Sequence, residues 1–213
     1  MTNWQERWEL GQIGWHNSAV NKNLLQYKNI LWQDHVHPTI LVPLCGKSLD
    51  ILWLAEQGAS VIGVEMVEKA IVDFFTENAL GYAIEDVQGV SVYRATEKKI
   101  TIVACNFLDV STSLIGGVHA IYDRASFVAI DPTYKQQYVN TCLGVLEKEG
   151  NILLLTYDSP ATEMQGPPFP VKDGVIERLY ANTQQQKLLD SIREEASTPT
   201  GSWSKTEIWH IQM

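Results

Sequence analysis

Positive charge is in short supply. Sixteen Lys and Arg stand against 25 Asp and Glu in 213 residues, a formal net charge of −9, and the isoelectric point lies near 5.0. A surface of that sign repels phosphate backbones and anionic lipid, so a nucleic-acid or membrane-surface role would need a local basic stripe. None occurs: the densest cluster, Lys98-Lys99, is flanked by Glu97 and reads as a solvated turn. Cysteine is scarce as well. Cys45, Cys105 and Cys142 are far apart, odd in number and set in apolar runs, which fits reduced core thiols in a reducing compartment better than disulfides or a zinc site. No apolar run approaches the roughly 18 residues needed to span a bilayer. The N-terminus lacks the basic-then-apolar order of a signal peptide. A soluble cytoplasmic protein with no nucleic-acid or membrane partner is the expectation. Internal repeats, low-complexity tracts and linkers are absent too, and the length suits one core, so residues 1–213 are expected to form one domain.

What is present alternates between strand and helix. After two helix-like stretches, the second over Ser18 to Gln33 with Val20, Leu24, Tyr27 and Leu31 on one face, Thr39 to Pro43 reads as a buried parallel strand. It enters the turn Leu44-Cys45-Gly46-Lys47-Ser48. A helix from Ser48 to Gln57 ends at Gly58, where glycine favours the C′ position. The unit repeats as the strand Ser60 to Val64, ending on Glu65, and a helix from Glu68 to Leu80. Extended runs follow at Ser91 to Ala95 and Lys99 to Cys105, read as a hairpin carrying one sheet strand. Later strands are expected at His119 to Tyr122 and Asn151 to Tyr157, joined by a helix over Tyr134 to Leu146. The runs Lys187 to Arg193 and Lys205 to Gln212, around the turn-rich Ser197 to Gly201, predict a closing antiparallel hairpin. The pattern predicts an α/β fold: a mostly parallel twisted sheet with an antiparallel last strand and helices on both faces. Residues 1–36 precede it as an N-terminal helical cap.

Ligands of an open α/β sheet bind beyond the carboxyl ends of its strands, so the residues that terminate strands deserve inspection. Glu65 stands where a carboxylate can accept hydrogen bonds from both ribose hydroxyls of an adenosine-type ligand, although a strand-end acid is often only a solvated charge. Gly46 is the lone glycine of the first turn, which removes the G-x-G-x-x-G pattern that lets backbone approach a pyrophosphate. Gly46-Lys47-Ser48 mimics a P-loop ending, but the required earlier glycine is Leu41. S-adenosyl-L-methionine, with an adenosine and a sulfonium but no phosphate, fits a ribose carboxylate beside a glycine-poor turn. Cys45 reads as a buried thiol rather than a nucleophile, with no histidine near it in sequence. Of His16, His35, His37, His119 and His210, only His35 and His37 are close, and their spacing matches no metal site.

Trp4-Gln5-Glu6-Arg7-Trp8, Gly14-Trp15-His16, Val42 to Ser48, Gly63-Val64-Glu65, Asp123-Arg124 and Gly166-Pro167-Pro168-Phe169 resemble the thiopurine S-methyltransferase family in order and spacing. The match spans nearly the whole chain, and the Pro-Leu-Cys-Gly-Lys turn is specific to that family. The resemblance implies the class I S-adenosylmethionine-dependent methyltransferase fold. It further implies that Trp8 covers the methionine part of the cofactor, Leu44 and Gly46 line it, Glu65 holds the ribose, Asn106 and Phe107 border the adenine, and Arg124 approaches cofactor or substrate. Trp15, with Pro167 and Pro168, would wall a flat acceptor. Trp15 stands where the family often has phenylalanine, and Thr198-Pro199-Thr200 lacks the basic residue some relatives place before the equivalent of Trp203.

Methyl transfer to a thiolate needs alignment and desolvation more than a strong base. Two readings of Asp123-Arg124 stand: a catalytic pair, Arg124 favouring the anionic acceptor and Asp123 orienting it or taking a proton through water, or a structural pair holding the strand end. Three functions remain in view. The first is S-methylation of aromatic or heterocyclic thiols such as thiopurines by a monomer, the second methylation of selenium or tellurium species, the third a non-catalytic adenosine-ligand binding module. The three tryptophans Trp4, Trp8 and Trp15 before the fold predict a lid over the cofactor.

Overall fold

The computed structural model describes residues 2–33, 35–160, 166–195 and 203–213. Three short helices precede the sheet: α1 (Trp4–Glu9), α2 (Lys22–Tyr27) and α3 (Asn29–Trp32). Then come β1 (Thr39–Val42), α4 (Leu49–Glu56), β2 (Ser60–Val64), α5 (Glu68–Glu77), β3 (Tyr82–Val87), β4 (Val90–Ala95) and β5 (Ile100–Val103). The chain continues through α6 (Thr112–Ile115), β6 (Val118–Arg124), α7 (Lys135–Val145), β7 (Leu146–Asp158), α8 (Val175–Leu179), β8 (Gln185–Glu195) and β9 (Trp203–Gln212).

The nine strands form one sheet in the order β3-β4-β5-β2-β1-β6-β7-β9-β8. β5, β2, β1, β6 and β7 pair in parallel, and β9 runs antiparallel to β7, as the closing hairpin predicts. The opposite edge is antiparallel too, because β3 and β4 fold back along β5. β3 has no counterpart in the sequence reading: it is an edge strand with four of six residues exposed, so no alternating apolar face announces it. The turn over 197–201 lies outside the described residues.

Alternation along the strands builds two cores. Ile40 and Val42 of β1, with Leu153 and Leu155 of β7, face the layer holding Leu24, Leu31, Ile51, Leu54, Ile71 and Phe74 from α2 to α5. Leu41, Ile121, Ile152 and Leu154 face the other way, toward Tyr138, Val139 and Cys142 of α7 and Ile176 of α8. The stretch expected as one helix over 18–33 is two. Asn21 caps α2 by accepting from the Asn23 amide at 2.9 Å, and a tight Leu31 N–H to Lys28 carbonyl bond of 2.9 Å marks the join to α3. Its apolar face survives, with Leu24 and Leu31 buried and Val20 and Tyr27 packed beside them. Among the described residues no helix is long and apolar enough to cross a membrane.

Candidate functional site

The turn after β1 and the end of β2 meet around one carboxylate. Cys45 N–H donates to the Val64 carbonyl at 3.0 Å, carrying the β1–β2 ladder one step past the strands. Gly63 lets the turn come this close, since a Cβ there would lie 2.7 Å from Cys45 Sγ. Gly46 then takes the left-handed φ of +51°, which glycine accepts at little cost, and aims its N–H at Glu65. Glu65 Oε2 accepts from Gly46 N at 3.0 Å and Oε1 from Val67 N at 2.8 Å. Only 7% of the residue is exposed. Burial pushes its pKa up, while the backbone N–H groups of Val67, Gly46 and Met66 pull it back. Each oxygen keeps a lone pair for a further donor.

The N-terminal segment roofs this turn. Asn3 caps α1 through the Glu6 amide, and Trp8, 4% exposed, packs with Val67 and Ala70. A Cβ on Gly46 would meet the Trp8 ring at 3.0 Å. Trp15 meets Trp4 and Trp8 edge-on at 5.3 and 6.0 Å between ring centroids. Arg124, at the end of β6, ties the segment to the sheet: its Nη2 donates to the Trp15 carbonyl at 2.9 Å.

Two cavities open at these strand ends. The first, about 70 Å³, is lined by Trp8, Trp15, Leu44, Gly46, Glu65 and Arg124 among others. The second, about 540 Å³, has Trp15, Arg124, Tyr157, Pro167, Pro168 and Thr206 in its wall. Trp4, Trp15, Arg124, Ala125 and Ala129 line both. The carboxylate, the glycine turn and the Trp8 roof fit an adenosine sulfonium ligand, which needs a ribose acceptor and no phosphate cradle.

The sequence-derived candidates divide accordingly. Trp8, Leu44, Gly46, Glu65, Trp15 and Arg124 converge on the first cavity, and Pro167 and Pro168 on the second. Asn106 and Phe107 reach neither. Asn106 caps the short 3-10 turn that follows by accepting from the Leu108 amide at 3.3 Å, and Phe107 is buried with its ring 4.9 Å from Tyr138. The catalytic reading of Asp123 is corrected by the geometry. Asp123 has no exposed surface and points to the opposite face of the sheet from Arg124. Its Oδ1 accepts from Phe127 N at 3.0 Å and its Oδ2 from the Tyr138 hydroxyl at 2.7 Å. Burial pushes it up to about 6. It anchors the turn after β6 onto α7 and reaches no cavity. It forms no hydrogen bond with Arg124 either, so the geometry matches neither reading of the two residues as a pair.

Several lining residues stand outside the sequence-derived site candidates. His16 lines the first cavity, its pKa lowered by burial and then by Lys47. Asp50 holds the roof's second anchor, accepting from Asn21 N at 2.8 Å and from the Tyr122 hydroxyl at 3.1 Å. Arg7, Lys22 and Thr206 line the second cavity. Arg7 lies inside the quoted Trp-Gln-Glu-Arg-Trp motif, which was the only pointer to it. Cys45 borders the first cavity, but burial and the neighbouring Glu65 push its thiol up, away from thiolate. Among the described residues no cluster of His, Cys, Asp or Glu can hold a metal ion.

Comparison with known proteins adds three findings. Residues 1–210 match the family model described as Thiopurine S-methyltransferase (TPMT). A thiopurine S-methyltransferase of Pseudomonas paraeruginosa is 40% identical over 178 residues, 84% of this chain and 80% of the relative. One from Methylococcus capsulatus is 38% identical over 191 residues, 88% and 84% respectively. In fold the chain resembles the Burkholderia thailandensis 1,6-didemethyltoxoflavin-N1-methyltransferase solved with S-adenosylhomocysteine, with a TM-score of 0.62 at 14% identity over 97% of this chain and 84% of that one.

Proposed function

Because the chain belongs to the thiopurine S-methyltransferase family, we propose that it transfers a methyl group from S-adenosyl-L-methionine to the sulfur of an aromatic or heterocyclic thiol. The observation that carries this reading is the pair of adjoining cavities, one around Glu65 and the other walled by Pro167 and Pro168, with Trp15 and Arg124 in both. When bound, S-adenosylmethionine supplies an electrophilic methyl group on its sulfonium, which an acceptor sulfur takes in one in-line displacement. The chain's own residues then bind, align and exclude water. Glu65 holds the ribose hydroxyls through its free lone pairs, Leu44 and Gly46 line the methionine part, and Trp8 closes over it. In this reading the adenine extends toward the end of β5, the strand beside β2, with the exposed Asn106 and its neighbour Phe107 proposed as its border.

Arg124 is the catalytic residue of this reading. One guanidinium N–H is spent on the Trp15 carbonyl; four donors remain to hold an acceptor sulfur as thiolate. Since Asp123 is turned away, it takes no proton from the acceptor, which in this reading binds as the thiolate. The flat wall of Trp15, Pro167 and Pro168 suits an aromatic ring better than a small selenium or tellurium species. The enzyme is taken to act as a cytoplasmic monomer, its first 36 residues serving as a lid on one catalytic domain.

Calorimetric titration with S-adenosylhomocysteine, followed by turnover of a thiol panel beside selenite and tellurite, tests the reading. Binding together with thiol turnover supports it. Turnover of the metalloids alone would shift the assignment to metalloid methylation, and binding with no turnover of any acceptor would leave a sensor.

A further inference from the structure

The chain carries nine more acidic than basic charges, so a cavity drawn at random from its surface should be bordered by carboxylates. The larger cavity is not. Arg7, Lys22 and Arg124 line it, and no Asp or Glu does among the described residues. Gln12, Asn21, Asn23, Thr156, Tyr157 and Thr206 add polar groups to its wall without adding charge. Nor are the cations neutralised from behind: within the described residues, none of the three has a carboxylate oxygen within 4.0 Å. Three unneutralised positive charges around one half-enclosed space repel one another and attract an anion, and the low-dielectric walls strengthen both effects.

One of the three is committed elsewhere. Arg124 stands between the two cavities and is fastened to the Trp15 carbonyl, the place for the reacting sulfur. Arg7 and Lys22 belong to the N-terminal segment, on α1 and at the first position of α2, and both border the larger cavity only. The Arg7 guanidinium rests 5.5 Å from the Trp15 ring centroid and 5.9 Å from that of Trp4. Those aromatic faces hold it at the cavity without cancelling its charge.

We propose that the larger cavity selects acceptors that carry, beyond the reacting sulfur, a second anionic group of the carboxylate kind, recognised by Arg7 and Lys22. The inference rests on the thiol-methylation reading above and narrows it to anionic aromatic thiols. The ring lies against Trp15, Pro167 and Pro168, the sulfur faces Arg124, and the anionic substituent reaches the rim formed by the N-terminal segment. Because both recognition residues lie on that segment, an anionic acceptor also draws it down over the cavity.

The test compares 4-mercaptobenzoate with its neutral isostere 4-mercaptobenzamide, each titrated calorimetrically into the full-length protein saturated with S-adenosylhomocysteine and then assayed for turnover with S-adenosylmethionine. The carboxylate compound should bind about tenfold tighter and show a similar advantage in kcat/KM, shrinking as salt rises from 20 mM to 0.5 M because ions screen a rim open to solvent. Arg7→Gln and Lys22→Gln should each cut the advantage about threefold, and the double variant should abolish it, with S-adenosylhomocysteine affinity serving as the check on folding. Equal affinity and kcat/KM for the two compounds in the wild type, or an advantage that survives in the double variant, overturns the proposal while the methylation reading stands. Methylation of neither compound overturns both.

Discussion

Glu65 and Asp123 are both buried acids at the carboxyl ends of neighbouring parts of the parallel sheet, and both accept two hydrogen bonds. Burial pushes both up from the ordinary carboxylate range. They nevertheless do different things. Glu65 shares the face of Val42 and Arg124 and borders the smaller cavity. Asp123 shares the face of Ile121, where its partner is the Tyr138 hydroxyl of α7. A strand turns each successive side chain to the opposite face, so one residue of parity separates a ligand-facing group from a core-facing one. Glu65 is held by backbone N–H groups alone, which leaves its free lone pairs toward the cavity. Asp123 has one partner on the turn below it and one on a helix, so its carboxylate is a strut.

Removing the strut should have the largest effect. Asp123→Ala leaves the Phe127 N–H and Tyr138 hydroxyl buried without partners and should cost about 3 kcal/mol in urea unfolding. The affinity of the folded protein for S-adenosylhomocysteine should not change. A weakened affinity with intact stability would reverse the two roles. The same group sets a pH signature. Its folded value of about 6 lies above the unfolded value of 3.8, so the folded state binds more protons between the two. The stability this group contributes is therefore present in acid and lost as pH rises through about 6. The urea midpoint of wild type relative to Asp123→Asn should rise as pH falls from 7.5 to 5. A flat difference would remove the buried-acid argument.

Glu65→Gln tests the other member. Losing a charged acceptor for the ribose should weaken S-adenosylhomocysteine by about 10- to 100-fold in calorimetry, with a smaller change in stability than Asp123→Ala. Arg124→Ala sharpens the parity argument from the adjacent position. Losing the charge-assisted tie to the Trp15 carbonyl should raise protease cleavage around Gly11 to Gly14 about tenfold. It should also lower turnover with folding intact; unchanged turnover removes Arg124 from the chemistry. In the wild type, S-adenosylhomocysteine should protect the same segment, and equal cleavage with and without it would argue against a lid. The smallest effect is expected from Gly46→Ala. A side chain in the left-handed region, 3.0 Å from the Trp8 ring, should cost about 1–2 kcal/mol in thermal unfolding.

The central strands and their helices were legible because each buried strand reads as a short apolar run and each helix carries its own signals, Ser48 before α4 and Gly58 after it. β3 was not, since an exposed edge strand is specified by pairing with β4 rather than by any face of its own. The division of residues 18–33 into α2 and α3 escaped for a related reason: the buried face is the same either way, and the break lies in backbone bonds. At the site, Glu65 and Gly46 stood out because strand-end position and glycine placement are sequence properties. Asp123 keeps two readings in the sequence because its role depends on which face it takes. The charge of the larger cavity was invisible, because Arg7 and Lys22 lie more than a hundred positions from Arg124 and join it only when the N-terminal segment folds back over the end of β6.

The sequence by itself determined the alternation of strands and helices, the carboxylate at the end of β2 and the family, since these are local patterns and residue identities. Only the tertiary structure decided which strand-end acid faces a cavity, which cations share a cavity and what Trp15 and Arg124 hold together. Those are matters of side-chain direction and of long-range closure, which spacing along a chain does not encode.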